Sequence, residues 1–122
     1  MLQNIRSLLD PYDPSATECD GMTRICHTVL VKENIPHVCM IGALFYNEKR
    51  LPVHLWIDLQ ADLEGYRVDY RARKWLGHSP DVPHGVFRPE DFPEVQYLNR
   101  RPKRLVSLPD PLFEMLAMPE NQ

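Results

Sequence analysis

Three features of the sequence predict an α+β domain. Apolar residues recur at helical spacing through residues 17–34, two later runs alternate apolar and polar residues as strands do, and a proline-rich stretch follows. Together they describe a central helix packed on an antiparallel sheet and covered by an extended wrap. A chain of 122 residues suits a single domain, with the core expected over residues 17–71 and the wrap over residues 76–122.

Leu2, Ile5, Leu8 and Leu9 are spaced for a short helix over residues 2–9, which Pro11 stops. Met22, Ile25, Cys26, Val29 and Leu30, with Glu33 as an extension, mark one side of the central helix. After Ile35-Pro36, the run from Val38 to Tyr46 is apolar almost throughout and reads as a central strand buried on both faces. Past Pro52, Val53, Leu55, Ile57 and Leu59 alternate with His54, Trp56 and Asp58. Beyond Gly65, Tyr66, Val68 and Tyr70 alternate with Arg67, Asp69 and Arg71. These two runs form a hairpin with one core face and one face of functional groups. Residues 80–119 hold eight of the twelve prolines and predict little regular structure. A last short helix over residues 111–116 is expected, with Asp110 as its N-cap and Pro111 at its first position.

Composition narrows the function classes. Apolar residues are 43% and charged residues 25%, the balance of a folded globular chain. A net charge of −3 opposes broad binding to nucleic acid or an anionic membrane, both of which need a basic excess. The start of the chain lacks an apolar leader after a basic end, and no apolar run is long enough to span a bilayer. Three cysteines, an odd number without a CxxC pair, suit a reducing compartment. These features predict a soluble, cytoplasmic protein.

The candidate site follows from placement. With the hairpin turn centred between Ala61 and Asp62, His54 stands opposite Asp69 and Trp56 opposite Arg67. Opposed Cβ atoms lie roughly 4.5–5.5 Å apart, within reach of a carboxylate–imidazole hydrogen bond. Cys19 takes the second helical position if Thr17 is the N-cap, with Asp20 as the acid of a capping box. Free backbone N–H groups and the helix dipole there favour the thiolate and offer donors to an oxyanion. Its spacing to Met22 and Cys26 puts Cys19 on the stripe facing the sheet. Cys19, His54 and Asp69 are thus the expected nucleophile, base and orienter of a cysteine acyl-transfer enzyme, with Trp56 shielding the ion pair and meeting substrate. Cys26 and Cys39 lie in apolar faces and are expected to pack.

The series Cys19, Ile35-Pro36, Gly42, His54-Leu55-Trp56 and Asp69 resembles the transglutaminase-like superfamily, which has a papain-like core. In that family a nucleophilic cysteine starts a helix that ends at a Gly-Ile-Pro-like step, a His-x-Trp strand brings the base, and a further strand brings the aspartate. Asn34 stands where the family often has glycine, Glu18 where a small residue is usual before the cysteine, and Thr23 where Ala or Ser is common. The resemblance implies a peptidase, glutamine deamidase or acyl transferase acting through a thioester on a protein or peptide substrate. It implies no metal or organic cofactor.

Several features fit other roles. His27, His37, His78 and His84 show no helical pair spacing and, with the cysteines, no CxxC step, so no metal site is expected. The run Arg100-Arg101-Pro102-Lys103-Arg104 fits a solvated loop, or the contact surface of a non-catalytic interaction module that retains the fold.

Overall fold

The computed structural model describes residues 1–118, so residues 119–122 of the expected wrap lie outside the described residues. The elements in order are α1 (Leu2–Leu9), α2 (Cys19–Lys32), β1 (His37–Tyr46), β2 (Lys49–Leu59), β3 (Arg67–Asp69), α3 (Ala72–Leu76), β4 (Gly85–Phe87), β5 (Gln96–Pro102) and α4 (Asp110–Ala117). The strands form one five-stranded sheet in the order β4-β3-β2-β1-β5, antiparallel at every pairing. The fold is α+β, with helices packed against this sheet. No helix among the described residues is long and apolar enough to cross a membrane.

Helix α2 buries the stripe that its sequence periodicity marks. Met22, Ile25, Cys26, Val29 and Leu30 join Cys39, Ile57, Leu59, Val68 and Val86 in the main core, while Glu33 is exposed. The helix ends in a complete Schellman motif: Asn34 N–H donates to the Val31 carbonyl and Ile35 N–H to the Leu30 carbonyl. Asn34 itself is left-handed, at φ 58°. Glycine takes that conformation freely and asparagine tolerates it best among the rest, which explains the Asn at this step.

At the other end the structure corrects the expected cap. Helix α2 starts at Cys19, with Glu18 as its N-cap and no side-chain cap bond. The Thr17 hydroxyl pairs with Ser15 Oγ instead, and Asp20 Oδ1 accepts from the N–H of Gly21. The capping box is therefore not formed. Cys19 stands at the first helical position.

The hairpin keeps its faces but not its expected register. Ile57 lies opposite Val68 and Asp58 opposite Arg67, a two-residue displacement that makes room for a 3-10 turn at Ala61–Leu63. A two-residue shift preserves which side each residue faces. His54 and Asp69 thus share a face, as diagonal and not direct neighbours. Strand β2 also begins earlier than expected and contains Pro52, which stands beside a register irregularity between Gly42 and Leu44 of β1. That is the kind of place where a strand admits proline.

The largest correction is in the tail. The stretch expected to lack regular structure supplies both edge strands, β4 and β5, with Val86 opposite Val68 and Pro102 opposite Met40. Edge strands tolerate proline because one row of their N–H groups faces away from the sheet, and charged residues there discourage pairing with other chains. Arg100, Arg101, Lys103 and Arg104 are all exposed on and after β5, so part of the basic run is edge strand. Strand β1 is consequently next to the edge and β2 is central. Some of its side chains are only half-buried, and Phe45 is exposed. Helix α4 starts at Asp110, one residue before the expected start, with Pro109 as its N-cap.

Gly42 lets β1, β5 and β2 meet. A Cβ there would lie 2.6 Å from the Leu98 carbonyl oxygen and 2.8 Å from Trp56 Cη2, closer than packed atoms tolerate. Gly42→Ala is expected to destabilise the fold by about 1–3 kcal/mol, read as a lower urea midpoint. An unchanged midpoint would mean that β5 and Trp56 yield freely.

Candidate active site

The site is built around Asp69, the last residue of β3. Its Oδ1 accepts the N–H groups of Arg71 (3.0 Å) and Ala72 (3.1 Å), which turns the chain out of the strand and into α3. That capture explains why β3 stops at Asp69 and does not run to residue 71. Its Oδ2 accepts from His54 Nε2–H and from the Tyr97 hydroxyl, both at 2.8 Å. Four donors satisfy a carboxylate with almost no access to water. Burial works against the charged form of Asp69, but the charge and hydrogen bond of His54, helped by Arg71 N–H and Tyr97, hold its pKa below the usual carboxylate value.

His54 is fully buried on the central strand. Burial alone pulls its pKa down. The Asp69 carboxylate, by charge and hydrogen bond, outweighs this and, with a smaller contribution from the nearby Cys19, raises it to about 10. With Nε2 bound to Asp69, the other ring nitrogen, Nδ1, is buried and has no hydrogen-bond partner. It is the atom left to exchange a proton with the Cys19 thiol. Cys19 is part-buried at the start of α2 and near enough to act on the imidazole. The three residues expected from sequence are thereby brought together.

Aromatic rings seal the pair. Trp56 is fully buried and stacks near His54, with centroids 6.3 Å apart and planes inclined by 23°. Tyr97 meets Trp56 edge-on at 4.8 Å. The Arg67 guanidinium lies 4.5 Å from the Tyr97 ring and 5.6 Å from Trp56, while its Nε donates to Asp58 Oδ1 at 2.7 Å. Trp56 thus lies against the buried imidazole, with no surface of its own open to solvent. Cys26 and Cys39 are buried, and burial pushes both thiols up, Cys39 to about 11.

The chain matches no protein-family model, no curated protein and no solved structure. The site's meaning therefore rests on its own geometry.

Two positioning residues escape the sequence pattern. Tyr97 comes from the proline-rich stretch, where no periodicity marks it. Arg71 reads as one more charge on an alternating strand, yet its buried guanidinium donates to the carbonyls of Asp13, Ser15, Thr17 and Tyr70 and to Asp13 Oδ1. These bonds fix the segment that delivers Cys19 to the sheet. Asp69 and Arg71, two residues apart, thus hold His54 and the approach to Cys19.

Tyr97→Phe removes one charge-assisted donor from Asp69 and is expected to cost about 1.5–3 kcal/mol, measured by chemical denaturation; a cost near zero would mean that water replaces the hydroxyl. Asp69→Asn also has a defined pH signature. The raised pKa of His54 contributes stability that is fully present below the ordinary histidine pKa and is lost as pH rises through the raised value. The lowered pKa of Asp69 contributes stability present above the ordinary carboxylate pKa and lost as pH falls through the lowered value. The penalty of Asp69→Asn should therefore be largest between about pH 4 and pH 6.5 and shrink towards pH 10. A penalty independent of pH would show that the pair is not ionised.

Proposed function

We propose that this protein is a cysteine hydrolase or acyl transferase of the transglutaminase-like, papain-like kind, acting on an amide or peptide bond through a thioester. The observation that carries this reading is the buried Asp69 Oδ2–His54 Nε2 pair with a part-buried Cys19 near it at a helix start.

The chemistry follows from the atoms. The pair rests as an imidazolium, with the proton of the Cys19 thiol already on His54 Nδ1, and the thiolate attacks the carbonyl carbon. In the first turn of α2, the N–H of Gly21 is taken by Asp20 and that of Met22 by the Glu18 carbonyl. The N–H groups of Cys19 and Asp20 remain as donors to the oxyanion. Collapse of the tetrahedral species passes the proton from Nδ1 to the departing amine or ammonia and leaves an acyl thioester. Water or an acceptor amine then attacks, gives its proton to His54 and releases the acid or the new amide. Asp69 keeps its position as orienter and stabilises the imidazolium. None of these steps requires a metal or organic cofactor.

Hydrolysis is the favoured outcome because water needs no second binding site. Thr17 and Glu18, just before the nucleophile, border an open groove of about 500 Å³ shared with Arg73, Lys74 and His78. Its polar walls suit an extended protein or peptide chain.

Iodoacetamide labelling of Cys19 against pH tests the reading. The parent should react fast at pH 7, and His54→Ala on the order of tenfold more slowly, with a rise near the ordinary thiol value of about 8.5. Identical slow profiles in both would remove the enzymatic reading and favour a binding module that retains the fold. Mass spectrometry of lysate peptides treated with parent or Cys19→Ser protein then separates amide-to-acid conversion from backbone cleavage.

A further inference from the structure

A second group of side chains converges on the opposite half of α2, where the sequence shows no metal-type spacing. His27 of α2 and His37 and Cys39 of β1 place one ligand atom each within 4.8 Å of one another. His27 Nδ1 and His37 Nε2 are 2.7 Å apart, and their rings cross edge-on at 66°. His37 and Cys39, two residues apart on a strand, point to the same side. The helix brings His27 to meet them.

A partner outside the cluster leaves the inward nitrogen of His37 with a lone pair. His37 Nδ1 lies 2.7 Å from the Ile35 carbonyl oxygen. A carbonyl only accepts, so Nδ1 carries the proton and Nε2 points inward with its lone pair. His27 Nδ1 faces that lone pair at 2.7 Å, either as an N–H donor or, with a cation between the two nitrogens, with a lone pair of its own. The Ile35 carbonyl then does what such partners do at metal sites, fixing tautomer and ring orientation.

We propose that His27 Nδ1, His37 Nε2 and Cys39 Sγ form a binding site for a divalent metal of the zinc class. Two imidazoles and one thiolate suit zinc and its neighbours and ill suit magnesium or calcium, which prefer oxygen. Bonds of about 2.0–2.3 Å in tetrahedral geometry require ligand atoms roughly 3.3–3.8 Å apart. The two nitrogens must therefore open by about half an ångström, and the sulfur, within 4.8 Å of them, must close in by up to about 1.2 Å. Binding forms the sulfur–metal bond and releases the Cys39 proton to solvent, while the imidazoles bind through lone pairs and lose no proton. The half-exposed histidines leave the fourth position to water. Such an ion would fasten the later half of α2 to β1 and hold the helix whose first residue is Cys19 against the sheet.

The site is independent of the proposed catalytic chemistry, so it is tested in Cys19→Ser protein, where the candidate nucleophile cannot contribute a thiolate. Titration with Co²⁺ should saturate at one equivalent and give a thiolate-to-cobalt charge-transfer band in the near ultraviolet, which Zn²⁺ then bleaches. Adding Cys39→Ser should abolish the band, and adding His27→Gln should weaken Co²⁺ binding at least about tenfold, with circular dichroism checking that each variant is folded. Absence of the band in Cys19→Ser overturns the proposal, since that measurement does not depend on the further variants folding. So does a band that survives in folded Cys39→Ser, or unchanged affinity in folded His27→Gln.

Discussion

The buried carboxylate of Asp69 is the interaction on which the rest of this structure depends. One oxygen ends β3 and starts α3 by accepting two backbone N–H groups, while the other ties together the central strand through His54 and the far edge strand through Tyr97. A charge this deep costs several kcal/mol to desolvate and survives only with its donors in place. Loss of the imidazole would leave an underpartnered charge, and loss of the carboxylate would leave a buried imidazole without an orienter. Local structure, sheet assembly and the candidate chemistry therefore share one group.

Around that hub the molecule divides labour between the two ends of α2. The first residue, Cys19, is held at the sheet by a segment that Arg71 grips through three backbone carbonyls. The last turn is closed by the left-handed Asn34, which lets the chain enter β1 directly. Helix position, and with it the place of the sulfur, is set by packing along the stripe from Met22 to Leu30. This is why an unusually polar set of groups coexists with a continuous apolar core on the other face of the sheet.

Much of this was legible in the sequence because it follows from short-range periodicity. The apolar stripe of α2, the alternation around His54 and the alternation around Asp69 each report a face, and faces survive an error of two residues in register. The register itself was not legible, since it depends on a 3-10 turn at Ala61–Leu63 whose sequence does not announce its length. Nor were β4 and β5, because proline density signals broken structure and hides the fact that edge strands accept it. Tyr97 and the meeting of His27 with His37 and Cys39 arise from long-range packing, which leaves no spacing signal in one sequence. The expected capping box failed for a local reason: the hydroxyl of Thr17 found Ser15 before it found the helix.

The most direct test of the central role of Asp69 is nitrogen-detected NMR of the His54 ring across pH in parent and Asp69→Asn protein. In the parent, the ring should keep both protons well above the ordinary histidine pKa, with a strongly deshielded proton on Nε2, and in Asp69→Asn that proton signal should vanish and the titration move down. A parent ring that loses a proton near pH 6.5, with no deshielded Nε2 proton, would contradict an imidazole held and charged by Asp69.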